Sequence, residues 1–146
     1  MAEKRHIKVL FIEDEDLLRS LFGEVFLLDD TTDYTVLSAM DLKSGLEQAN
    51  TEDADVIILD LILPYDKTTS SDEEDLSEKM GIAFLKQIKS EPRHKDTPIV
   101  VFSNMTDIEI RKQVFESGAT DFLIKSETTP EKFLEVVKNV TKKPFS

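Results

Sequence analysis

Asp55-Val56-Ile57-Ile58-Leu59-Asp60-Leu61-Ile62-Leu63-Pro64 is the stretch whose reading decides the architecture. Val56 to Leu59 are apolar without interruption and mostly β-branched, and they run straight into a carboxylate. A strand with one wet face alternates apolar and polar side chains, whereas an unbroken apolar run suits a parallel strand covered on both faces. Similar short runs, rich in β-branched and aromatic residues, occupy 7–12, 34–39, 99–102 and 122–124.

Between these runs the apolar spacing changes to that of helices. Leu17, Leu18, Leu21, Phe22 and Val25 make one stripe, and Leu42, Leu46 and Ala49 a second. Ile82, Leu85 and Ile88 make a third, Ile110, Val114 and Phe115 a fourth, and Phe133, Val136, Val137 and Val140 a fifth. Glu15 and Asp16 read as N-cap residues of the first helix. Thr106-Asp107-Ile108-Glu109 reads as a capping box, and Thr129-Pro130 as a cap followed by a first-turn proline. Gly118 is placed to end the fourth helix. Strand and helix alternate five times, which predicts a doubly wound α/β fold, (βα)5, with a five-stranded parallel sheet and right-handed crossovers. In such folds the site lies at the carboxyl ends of the strands.

The 146 residues suit one domain, taken here as 1–146, with an acidic insertion at about 65–80 between the third strand and third helix. The chain stops soon after the fifth helix, so no output domain is expected. There is no cysteine, which excludes disulfides and thiolate metal sites. No apolar run approaches the roughly 18 residues of a membrane span, and residues 1–8 are polar, so a cytoplasmic protein with no membrane partner is expected. A net charge of −12 argues against DNA as a partner.

The polar residues at the strand ends carry the chemistry. Glu13-Asp14 follow the first strand, Asp60 the third, Ser103-Asn104 the fourth and Lys125 the fifth. Carboxylates about 4 Å apart repel by roughly 4 kcal/mol at an effective dielectric near 20, so such a cluster raises its pKa values or recruits a cation. Oxygen ligands with few carboxylates and an open face suit Mg²⁺, with Mn²⁺ as a substitute. A lysine beside the cluster can neutralise a phosphoryl oxygen, a hydroxyl can donate to another, and a carboxylate can itself be the nucleophile. Taken singly, each residue has a plainer reading: a cap, a turn residue or a surface charge. His6 and His94 read as exposed or loop residues with no role.

Four segments in this order resemble the receiver domains of two-component response regulators: Ile7-Lys-Val-Leu-Phe-Ile-Glu13-Asp14, Asp55 through Pro64, Pro98-Ile-Val-Val-Phe-Ser103-Asn104, and Gly118-Ala-Thr-Asp-Phe122-Leu-Ile-Lys125. The resemblance covers about residues 6–140 and implies a flavodoxin-like strand order 2-1-3-4-5. It implies that Asp60 is the phosphoacceptor, and that Glu13, Asp14, Asp60 and the Ile62 carbonyl hold Mg²⁺. Lys125 would pair with Asp60 or its phosphate, and Ser103 would be the switch hydroxyl, with Phe122 as the aromatic that follows it. Ser103, Asn104 and Lys125 would contact the phosphoryl group. The donor would be a sensor histidine kinase or a phosphotransfer protein, with a downstream protein target. The chain would catalyse only its own phosphorylation and dephosphorylation, as a phosphorelay or protein-binding switch.

Three features depart from the family pattern. Ser126 stands where proline usually follows the lysine, so the loop needs either a cis bond costing about 2.5–4 kcal/mol or another construction. Asn104 replaces a small residue, and the acidic insertion has no usual counterpart. A pseudo-receiver that binds partners without phosphorylation and a small-substrate aspartyl phosphatase are the alternative readings. The phosphatase fits poorly without an Asp-x-Asp motif on the first strand. A nucleotide or flavin site fits poorly with only 4 glycines.

Overall fold

The computed structural model describes residues 4–63 and 78–142. The elements run β1 (Arg5–Ile12), α1 (Asp16–Glu24), β2 (Thr32–Ala39), α2 (Leu42–Thr51), β3 (Val56–Leu59), α3 (Glu78–Ser90), β4 (Ile99–Ser103), α4 (Ile108–Glu116), β5 (Asp121–Ile124) and α5 (Pro130–Val140). All pairings are parallel, in the order β2-β1-β3-β4-β5, so the doubly wound (βα)5 expectation and its 2-1-3-4-5 order hold. β1 and β2 begin earlier than their apolar runs, because edge pairing from Arg5–Thr32 onward satisfies backbone groups whatever the side chains. The acidic stretch at about 65–80 lies outside the described residues except for Glu78, Lys79 and Met80, which belong to α3.

The strand period of two sorts the core into two layers. Leu10, Ile12, Ile57, Leu59, Ile99 and Val101 face α2, α3 and α4. Val9, Phe11, Val56, Ile58, Val100 and Phe102 face α1 and α5. Burying each such side chain gains about 1.5–3 kcal/mol. On the α1/α5 side, the Phe133 ring lies 5.6 Å from Phe11, 5.1 Å from Phe22 and 5.3 Å from Phe102, centroid to centroid. That cluster seats both helices on one face of the sheet.

Several local expectations are corrected. The first-helix stripe is narrower than its spacing suggests: Phe22 and Val25 are buried, but Leu17 is 83% and Leu21 51% exposed. Phe22 and Val25, with the partly buried Leu18, amount to about one packed residue per turn on this face of the sheet. The cap of α4 is Asp107, one residue past Thr106, and its carboxylate accepts from the Glu109 and Ile110 N–H groups. Glu15 occupies the N-cap of α1 without a side-chain cap bond, and Asp16 pairs with Arg19 instead. His94 is not a surface loop residue. It sits in a short 3-10 turn, Pro92–His94, at 2% exposure, where burial pushes its imidazole below the ordinary value. The polar run Pro-Arg-His-Lys gives no sign of this. The Thr129 cap, accepting from the Lys132 N–H, and the left-handed Gly118 (φ 112°) stand where expected.

One close approach fixes where α3 meets the site. A Cβ on Gly81 would lie 2.3 Å from the Leu61 carbonyl oxygen and 2.7 Å from its Cα. Alanine ordinarily stabilises a helix interior over glycine by about 1 kcal/mol, but here it would meet backbone that cannot swing aside. Gly81→Ala is therefore expected to lower the unfolding free energy by about 1–3 kcal/mol in urea titration, the usual cost of overpacking.

Candidate functional site

The ladders carry the reactive residues to one edge. The Glu13 N–H donates to the Ala39 carbonyl and the Asp60 N–H to the Ile12 carbonyl, so the backbone stays in register past β1 and β3. Ser103 is the last residue of β4, paired with Ile124, and Lys125 follows β5 directly. Side chains separated by up to 112 positions in sequence (Glu13 to Lys125) thus converge above the sheet.

Lys125 is the centre of the cluster. Its Nζ donates to Asp60 Oδ2 at 2.9 Å and lies 2.7 Å from Glu13 Oε1. Glu13 is 0% exposed, and Asp60 and Ser103 are also buried. Asp60 Oδ1 accepts from the Ile62 N–H at 3.1 Å, and Glu13 Oε2 from the Glu15 N–H at 3.1 Å. Asp14 is exposed, yet one carboxylate oxygen from each of Glu13, Asp14 and Asp60 falls within a mutual 4.8 Å. Ser103 Oγ accepts from the Met105 N–H at 3.3 Å, so its own hydrogen is free to be donated elsewhere. Phe122 is buried, and the Arg111 guanidinium sits 5.2 Å over its ring. Ile62 is partly exposed beside Asp60, and Met105 packs against the core.

Two of the departures from the family pattern have a structural form. Asn104 turns its Oδ1 to the Ser126 N–H at 2.8 Å, leaving only its amide nitrogen for a phosphoryl contact. The lysine loop contains no cis bond and is built as a 3-10 turn, Lys125–Glu127. Arg19 is a site residue the motif reading passed over. Its Nη1 donates to the Glu13 carbonyl at 2.5 Å, clamping the turn that carries Glu13 and Asp14. The Asp16–Arg19 spacing of an ion pair on one helix face was its available signal.

The electrostatics show what the cluster lacks. Burial pushes the Glu13 carboxyl up, the nearby Asp60 adds to this, and Lys125 pulls against both. Burial likewise raises Asp60, with Lys125 and the Ile62 N–H opposing. Burial would lower the Lys125 ammonium, but Asp60 and Glu13 outweigh it and hold it above its ordinary value. One ammonium, 2.7 Å from Glu13 Oε1 and 2.9 Å from Asp60 Oδ2, thus serves a cluster of three carboxylates. An acidic cluster short of positive charge, with an all-oxygen donor set, fits a hard divalent cation.

A family model for the response regulator receiver domain matches residues 9–138. The chain belongs to that family. Receiver domains bind a divalent metal through acidic residues of this kind. The phosphate regulon transcriptional regulatory protein PhoB of Escherichia coli (strain K12) is 27% identical over 136 residues, 93% of this chain and 52% of PhoB. This receiver domain therefore spans about half the length of the curated relatives it matches. The chemotaxis response regulator CheY4 of Vibrio cholerae superposes with a TM-score of 0.74 at 27% identity, covering 92% of this chain and 98% of CheY4. The Mn(2+)-bound form of response regulator Rcp1 gives 0.68 at 25% identity, covering 89% and 88%.

An acid whose pKa is raised on folding costs stability once the pH exceeds its unfolded value near 4. At pH 7 and without metal, Asp60→Asn removes that cost while Lys125 keeps Glu13 as a partner. The variant is expected to be more stable by about 1 kcal/mol, roughly 2–4 °C in thermal midpoint for a domain of this size. Mg²⁺ should raise the midpoint of the wild type by mass action and that of the variant far less. A calorimetric scan with and without Mg²⁺ measures both.

Proposed function

We propose that this receiver domain accepts a phosphoryl group on Asp60 in a Mg²⁺-dependent reaction and works as a phosphorelay or protein-binding switch. The observation that carries the reading is the Lys125 ammonium held at once by Asp60 and Glu13, 2.9 and 2.7 Å away, beside Asp14. Glu13, Asp14, Asp60 and the Ile62 carbonyl would hold the ion, Mg²⁺ or Mn²⁺, which when bound neutralises charge on the phosphoryl oxygens. One Asp60 oxygen bonds to phosphorus as the donor's P–N or P–O bond breaks, and the leaving group takes the electron pair. Lys125 shifts its ammonium from the carboxylate to a phosphoryl oxygen, and the Ser103 hydroxyl donates to another. Little covalent work is asked of the protein beyond positioning and neutralisation. Hydrolysis returns the Asp60 carboxylate and inorganic phosphate.

The donor in this reading is a sensor histidine kinase or a phosphotransfer protein, and the output is a protein contact rather than DNA, in keeping with the net charge of −12. No helix among the described residues is long and apolar enough to cross a membrane, which agrees with action in the cytoplasm. The chain chemically alters only itself. Phe122, buried under Arg111, is the aromatic that would report on movement of Ser103.

Intact mass after incubation with acetyl phosphate and Mg²⁺ tests the reading. A Mg²⁺-dependent gain of one phosphoryl group, absent in Asp60→Asn, is expected. No gain would favour a module that binds partners without phosphorylation, and steady turnover of small phosphoesters would favour a phosphatase.

Ile62 and Met105 flank Asp60 and Ser103 and are expected to hinder the water that attacks the phosphoryl group. Ile62→Asn should shorten the phosphoryl lifetime severalfold in a radiolabel decay assay, and an unchanged lifetime would contradict the shielding role.

A further inference from the structure

The two residues that depart from the family pattern around the site are bonded to each other: the Ser126 N–H donates to Asn104 Oδ1 at 2.8 Å. The β4–β5 ladder ends with Ser103 opposite Ile124. Beyond it the backbone pairing stops, and the Asn104 side chain supplies an acceptor to the Ser126 N–H that the ladder no longer provides. Proline at 126 could not make this bond, because it has no N–H. Asparagine at 104 and a non-proline residue at 126 therefore form one device.

Lys125 lies between the two fixed points. Ile124, before it, is in the sheet and has its carbonyl bound by Thr128 Oγ1 at 2.7 Å. Ser126, after it, is held by Asn104. The lysine stem is long and flexible, so the resting place of its ammonium depends on where the backbone is held. We infer that Asn104 is a positioning residue: through the Ser126 N–H it straps the Lys125–Glu127 turn to the end of β4 and so holds the Lys125 ammonium against Glu13 and Asp60. This rests on the role given to Lys125 and Asp60 above. Asn104 acts through Lys125 and is not required to touch the phosphoryl group.

The test uses Asn104→Ala, which removes the acceptor, Ser126→Pro, which removes the donor, and Ser126→Ala, which keeps the backbone N–H. Two readouts are taken on the full chain. The first is labelling of Lys125 by an amine-reactive ester, measured by peptide mass spectrometry and normalised to the partly buried Lys89. The second is the rate of phosphoryl gain from acetyl phosphate and Mg²⁺. Asn104→Ala and Ser126→Pro should each raise Lys125 labelling about fivefold, the scale of one net hydrogen bond in a population ratio, with Lys89 unchanged. Each should slow phosphoryl gain to a similar degree, and the double variant should be no worse than the worse single one. Ser126→Ala should match the wild type in both. Lys125 labelling within twofold of wild type in both Asn104→Ala and Ser126→Pro overturns the inference. So does a slower phosphoryl gain confined to Asn104→Ala with labelling unchanged, which would make Asn104 a direct contact. A wild type that gains no phosphoryl group while labelling responds as stated supports the strap and overturns the functional reading instead.

Discussion

The Lys125 ammonium, placed between two buried carboxylates, is the interaction on which the rest of the site depends. Glu13 and Asp60 both lose hydration on folding, and burial destabilises each as an anion, with the Asp60 charge adding to this at Glu13 and the Asp14 charge adding to it at Asp60. A single positive charge offsets part of that cost and leaves the cluster of Glu13, Asp14 and Asp60 short of positive charge. In the proposed reading that shortfall is what gives the cluster its use, because a site short of positive charge suits a divalent ion and then a phosphoryl group. The groups whose burial is costly in the metal-free protein would be the ones that react in the loaded one.

The fold brings these groups together by carrying parallel strands to a common edge. Period-two alternation gives each strand one face toward α2, α3 and α4 and the other toward α1 and α5, which leaves only the strand ends for polar chemistry. Three local devices then refine the edge. Gly81 lets α3 lie against the Leu61 backbone directly after Asp60, Arg19 clamps the Glu13 carbonyl, and Asn104 ties down the turn after Lys125. Each acts on the backbone at or beside a site residue, where a small displacement matters most.

Much of this was legible in the sequence. Unbroken apolar runs such as Val56–Leu59 suit strands covered on both faces, and the ends of those runs pointed to Glu13, Asp14, Asp60, Ser103 and Lys125 without any contact being known. What could not be read depended on partners distant in the chain. His94 stands in a polar run, yet it is buried once the turn after α3 folds inward. Leu17 and Leu21 share a stripe with Phe22, but the narrow seat on the sheet leaves them exposed. The Asn104–Ser126 bond joins two residues that separately look like irregularities, and only the end of the β4–β5 pairing just before them gives them a reason.

Borohydride trapping of the phosphorylated chain, followed by peptide mass mapping, tests the central claim most directly, because reduction of an aspartyl phosphate leaves homoserine at the phosphorylated position. The account predicts homoserine at position 60 and nowhere else, formed only when Mg²⁺ is present during phosphorylation. Homoserine at Asp14 or at another carboxylate, or a stable phosphoryl group that borohydride does not remove, would contradict it.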